Sequence, residues 1–276
     1  MTEGKLVAAV GIALSFVAIW PKAIFDFNWS EDGTALAWLL ILTILAMGAI
    51  VGSVALRSPG LTLTAAALSL LIWGFYGWWV AVSTEGLGPG AWLGFAGGMF
   101  ASIGAIAAYS RETVLGPAGQ SPAAPAATAG PVRLLALAVA AVGLALSFVA
   151  IWADFVEGRS YWNINGKSLG IVLLLLCLVA VPLLAVSAAS IVATPRSVAV
   201  SRALGLGGIG AVAVGMLLAG FLFFTVVLSA FNGFGDLKSG AWLGFVGGIL
   251  VAAGTAFAFL SRGSVSSPAA PARAPG

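Results

Sequence analysis

Few side chains in this sequence can do chemistry, and their spacing decides how much. There is no histidine, and Cys177 is the only cysteine, set in the middle of an apolar run. Without histidine, serine and cysteine nucleophiles lose their usual general base. A single cysteine makes neither an intrachain disulfide nor a thiolate metal cluster. Asp26, Asn28, Ser30 and Asp32 alternate as calcium-loop ligands do, but Glu31 holds the glycine position and Ala37 the closing glutamate position, so the EF-hand reading fails. A looser divalent-ion site from Asp26, Asp32, Asp154 and Glu157 competes with a plain set of solvated loop charges. Gly205, Gly207 and Gly210 spell G-x-G-x-x-G, yet they open a long apolar helix and follow no strand, so the dinucleotide match is accidental. Ser15 and Ser147 either line a polar path or bond back to their own helix.

The elements that must carry these groups belong to a membrane protein. Of 276 residues, 61% are apolar and 8% charged, with mean hydropathy +1.11, against roughly 25% charge in a soluble domain. Apolar runs near 6–20, 35–56, 61–82, 91–110, 133–152, 168–193, 203–230 and 241–260 are continuous, which predicts eight transmembrane helices in an all-α fold rather than a barrel. With the N-terminus inside, Lys5, Arg57, Arg111, Arg133, Arg196, Arg202, Arg262 and Arg273 fall on the inner side. Only Lys22, Arg159, Lys167 and Lys238 fall outside, so both termini are predicted to be cytoplasmic. No ionisable residue occupies the middle of a span, which argues against a proton relay. The scattered basic residues read as topology signals and not as a nucleic-acid surface. Pro182 should kink the sixth helix.

The chain repeats itself. GIALSFVAIW at 11–20 returns as GLALSFVAIW at 143–152, and GAWLGFAGG from Gly90 returns as GAWLGFVGG from Gly240. Two matches in the same order mean a tandem duplication. The internal copy also argues that the first run is a retained helix and not a signal peptide. Four helices per copy make the repeats parallel. The predicted domains are 1–111 and 132–262, joined by a Pro/Ala-rich cytoplasmic linker at 112–131 and followed by a tail at 263–276. The P-x-x-P spacings Pro122 to Pro125 and Pro268 to Pro271 lie in these tethers.

Small residues four apart on the fourth and eighth helices (Gly94, Gly98 and Ser102; Gly244, Gly248 and Ala252) provide faces for close helix packing, within each unit or between protomers. All ten tryptophans fall in the outer loops or the outer half of the spans. Trp20, Trp78, Trp79, Trp92, Trp152 and Trp242 either anchor the bundle at headgroup level or line a groove for a lipid or isoprenoid of the outer leaflet. The high Ala/Gly/Pro content, the four-helix plan and the G-A-W-L-G-F-x-G-G block resemble small multi-pass membrane proteins of actinobacteria, some of them tryptophan-associated. The resemblance implies a bacterial plasma membrane and no particular activity.

The expected function is a non-enzymatic accessory or scaffold protein, with no metal and no cofactor. Its expected partners are membrane lipids and other membrane proteins, with homo-oligomers allowed and nucleic acid excluded. The alternative is an uncoupled carrier or binder of an apolar ligand, with its site between the repeats near the outer leaflet.

Overall fold

The computed structural model describes residues 2–24, 27–28, 33–82, 86–114, 129–156, 159–163, 168–192, 198–231 and 237–261. These form eight helices and two short hairpins: α1 (Glu3–Val17), β1 (Lys22–Ile24), β2 (Phe27–Asn28), α2 (Gly33–Ala55), α3 (Pro59–Val82), α4 (Pro89–Thr113), α5 (Ala129–Ala150), β3 (Asp154–Val156), β4 (Arg159–Ser160), α6 (Ser168–Val192), α7 (Val198–Phe231) and α8 (Ser239–Leu260). Seven of the described helices are long and apolar enough to cross a membrane. The exception is α1, whose 15 residues rise about 22 Å, short of the ~30 Å hydrocarbon core.

Helix starts follow the local chemistry. Pro59 and Pro89 stand in the first turns of α3 and α4, where a missing N–H is no loss. The ends of α1 and α5 are more instructive, because both copies of the SFVAIW block leave the helix in the same way. The amides of Ile19 and Trp20 donate to the carbonyls of Phe16 and Val17 at 3.2 and 3.4 Å, and those of Ile151 and Trp152 donate to Phe148 and Val149, both at 3.2 Å. This i→i−3 tightening stops the spans read as 6–20 and 133–152 at Val17 and Ala150. A hairpin then succeeds each turn, pairing Lys22 with Asn28 after α1 and Asp154 with Ser160 after α5. Strands of two or three residues leave no alternating pattern, so nothing in the sequence announces them.

At the other end of the bundle, α4 runs on to Thr113 and α5 already begins at Ala129, so both helices enter the stretch read as linker. The extension of α4 is held by ion pairs. Lys5 Nζ lies 2.7 Å from Glu112 Oε1, and Arg111 Nη1 lies 3.2 Å from Glu3 Oε2. In α5, Pro131 falls within the first turn and costs no helical hydrogen bond. α6 continues through Pro182 as one element.

α4 lies between α1 and α3, and α2 packs on α3; α8 lies between α5 and α7, and α6 packs on α7. The two sets of helices meet where α3 crosses α7. Large apolar side chains such as Leu6, Leu45, Leu135, Val142 and Leu175 remain exposed on the outer faces, as lipid-facing surfaces do.

Candidate functional site

The small-residue stripes lie inside the bundle. A Cβ on Gly94 would overlap the Tyr76 ring, and one on Gly98 would come within 2.8 Å of Trp73 Cα, so this stripe faces α3. Ser102 is buried and donates to the Gly98 carbonyl at 2.7 Å. On α8, a Cβ on Gly248 would lie 3.0 Å from Ala219 Cα, and one on Gly244 would lie 3.0 Å from Leu222 Cδ2 and 3.3 Å from the Tyr161 hydroxyl. Ala252 is buried on the same helix.

A second line of contacts runs one residue round the helix. A Cβ on Gly97 would sit 2.7 Å from the Ser15 amide nitrogen, one on Gly247 would sit 2.7 Å from that of Ser147, and Gly11 and Gly143 reciprocate against α4 and α8. Backbone therefore lies on backbone in both pairs, which only glycine permits. Ser15 and Ser147 bond back to the carbonyls of Gly11 and Gly143, at 3.1 and 3.0 Å. Sequence reading used Gly11 and Gly143 only as the start of a repeated block. Their recurrence at one offset was the available signal that they are contact points.

The six tryptophans divide by exposure. Trp20, Trp92, Trp152 and Trp242 are each about half exposed, whereas Trp78 is buried and Trp79 half-buried. The exposed four form matched sets: Trp20 stands edge-on to Phe16 at 4.9 Å and Trp152 to Phe148 at 4.7 Å. Trp92 and Trp242 meet Phe95 and Phe245 at 6.4 and 6.2 Å. Trp78 and Trp79 instead stand edge-on to each other at 4.9 Å. The structure therefore does not gather the six into one surface.

Asp26, Glu31, Asp32 and Glu157 lie outside the described residues, as do the P-x-x-P segments. Asp154 is exposed on β3, and no group of three or more metal-ligating residues occurs among the described residues. Gly205, Gly207 and Gly210 pack against side chains of Val114, Val186 and Leu183 within the bundle. Tyr161 is fully buried, and its hydroxyl has no hydrogen-bond partner among the described residues. Burial pushes that phenol well above its ordinary range.

Two cations at the end bearing Lys5 are also buried. Lys5 is 5% exposed and Arg133 is 3% exposed. Lys5 has Glu112 and also donates to the Ser53 carbonyl at 3.1 Å. Among the described residues Arg133 has only the Ala258 carbonyl at 3.3 Å and the Ser190 hydroxyl at 3.5 Å. As a residue near a span end, Arg133 was read for topology alone, since burial of a terminal arginine leaves no mark in sequence. No protein-family model, curated protein or solved structure matches the chain.

Proposed function

We propose that the chain is a non-enzymatic accessory or scaffold protein of the bacterial plasma membrane, built as two parallel four-helix repeats with eight spans and cytoplasmic termini. The observation that carries the scaffold reading is the junction between α3 and α7. A Cβ on Gly74 would meet the Phe221 amide nitrogen at 3.1 Å, and one on Gly220 would meet Leu71 Cα at 3.3 Å. Phe75 and Phe224, both buried, stand edge-on beside this crossing at 4.9 Å. A carrier with its site between the repeats needs room where these backbones touch.

The eight-span plan counts α1 and its exit turn together. From Glu3 to Trp20 the rise is about 27 Å, near the thickness of the hydrocarbon. The matched exit turns, hairpins and glycine contacts support the duplication, and the Lys/Arg bias supports the orientation. The proposed partners are other membrane proteins, reached through the outer helix faces, together with surrounding lipid.

Thiol labelling in a Cys177→Ser background tests both parts. Ala124→Cys is expected to resist an impermeant reagent applied to intact cells, while Gly158→Cys labels; the reverse pattern overturns the orientation. Leu70→Cys and Leu218→Cys, both at buried positions, are expected to stay unreactive in native membranes. Labelling of either from one side would reveal an opening between the repeats and replace the scaffold with the carrier.

A further inference from the structure

We propose that the small cavity beside Arg133, where α5, α6, α7 and α8 meet, holds one monatomic anion, a chloride or other halide, that neutralises the guanidinium. The proposal is independent of the scaffold reading and of orientation.

Arg133 carries a charge that no carboxylate among the described residues neutralises. It is 3% exposed. Of the five N–H donors of a guanidinium, two are used, on the Ala258 carbonyl and the Ser190 hydroxyl, and both of these oxygens are neutral. The described carboxylates are Glu112 and Glu3, paired with Lys5 and Arg111, and Asp154, which stands exposed on β3 beyond the opposite end of α5. The sequence between α4 and α5 (114–128), between α6 and α7 (193–197) and after α8 (261–276) contains no Asp or Glu. A buried cation without a counter-charge is strongly unfavourable, and the low dielectric that makes it so also strengthens its attraction for an anion.

The space beside the guanidinium fits one small ion. The cavity is lined by Arg133 and Leu137 of α5, Ser187 of α6, Gly208 of α7, and Thr255 and Ala258 of α8. It encloses about 10 Å³, room for one water-sized sphere and too little for a phosphate, sulfate or carboxylate group. Arg133 lies only about 6 Å along the helix axis from the start of α5 at Ala129, so a single ion has a short route in from that end of the bundle.

The wall of the cavity also supplies a spare donor. Ser15, Ser102 and Ser147 are buried and donate to carbonyls of their own helices. Ser187 is just as enclosed, at 5% exposed, yet its hydroxyl has no hydrogen-bond partner among the described residues. The Thr255 hydroxyl is already committed to the Val251 carbonyl at 2.7 Å, which leaves the Ser187 O–H and the unused guanidinium N–H groups to converge on an occupant. A water molecule would accept those bonds and leave the charge in place, whereas a halide accepts them and cancels it. Beside Lys5 that part is played by Glu112, 2.7 Å away.

The test uses the full chain, purified in mild detergent and sodium gluconate so that no halide is present. Thermal unfolding is followed as sodium chloride replaces gluconate at constant ionic strength, and binding is read directly from broadening of the chloride NMR line. A saturable rise in melting temperature and a broadening reversed by bromide are expected, with sulfate giving neither. Ser187→Ala removes a hydroxyl that the fold leaves without a partner, so its halide-free melting temperature should stay within a few degrees of wild type while chloride binding weakens about tenfold. Arg133→Gln should abolish the saturable chloride response. Its halide-free melting temperature should hold or rise, the opposite of what a purely structural arginine would give. Stability that does not depend on halide, as a cavity holding only water would give, overturns the proposal. A chloride response unchanged in both variants overturns it as well, and so does equal stabilisation by sulfate.

Discussion

Lys5 of α1 and Arg133 of α5 lie at the same end of the bundle and are almost equally buried, yet their partners differ. Lys5 is held by Glu112, whose second oxygen accepts from Thr62 at 3.0 Å. At the offsets of the two repeated sequence blocks, Leu137 stands where Lys5 does and Arg262, which lies outside the described residues, where Glu112 does. The two helix pairs therefore support a buried ion pair on one side and, on the other, a buried cation whose partners are neutral oxygens. A helix pair locked through glycine backbone tolerates such charge changes at its ends, because its contact does not depend on side chains.

The largest expected effect tests the closed half. Glu112→Gln leaves Lys5 buried without its counter-ion and is expected to cost about 3–5 kcal/mol. Pairing it with Lys5→Leu, the residue type found at 137, should restore most of that loss in a chemical or thermal unfolding measurement. Equal losses in the single and double variants would show that the two helix pairs are not interchangeable in this way.

Next in size are Gly11→Ala and Gly143→Ala, which overlap facing backbone on α4 and α8. Each is expected to cost about 1–3 kcal/mol by overpacking, with similar values in the two copies. Gly48, with no atom within 4 Å of its added Cβ, serves as the control, and Gly48→Ala should gain up to about 1 kcal/mol from helix propensity. A tolerant Gly143 beside an intolerant Gly11 would break the equivalence of the two helix pairs.

The smallest effect sets two buried tyrosines against each other. Tyr76 donates to the Ser15 carbonyl at 3.0 Å, so Tyr76→Phe should cost about 1 kcal/mol. Tyr161→Phe should cost nothing or stabilise, because it removes a hydroxyl with no hydrogen-bond partner among the described residues. Burial raises the Tyr161 phenol in the folded state, so the fold binds its proton more tightly than the unfolded chain does. Stability should then fall as pH rises past about 10, and Tyr161→Phe should reduce that alkaline loss. Matching alkaline profiles for wild type and variant would sharpen the comparison against Tyr161.

The helical architecture was legible because lipid leaves backbone few options, and continuous runs such as 168–193 can only be helices. The two ten-residue blocks that differ only at Ile12 and Leu144 mark matching helix exits, since each ends in the same i→i−3 turn. Helix ends were less legible: Val17 and Ala150 sit among neighbours that are equally apolar on both sides, and only the hydrogen-bond pattern shows the chain turning. The division of Trp78 from Trp92 was hidden for a similar reason, since both sit at membrane-interface positions and only packing tells which ring faces in. Arg133 was out of reach, because its burial depends on α6 and α8, which supply the Ser190 hydroxyl and the Ala258 carbonyl.

The crossing of Gly74 over Gly220 carries a consequence for how the molecule came to be asymmetric. Each of the two glycines rests on the helix that carries the other, as the two faces of an isologous dimer do. A symmetric dimer of one four-helix chain must place every new residue twice, so a buried arginine would appear at both ends of the two-fold relation. In the proposed duplication the halves share a single polypeptide, which frees each to mutate alone. One molecule then carries a buried lysine paired with a carboxylate in one half and a buried arginine bonded to neutral oxygens in the other, an arrangement closed to a homodimer.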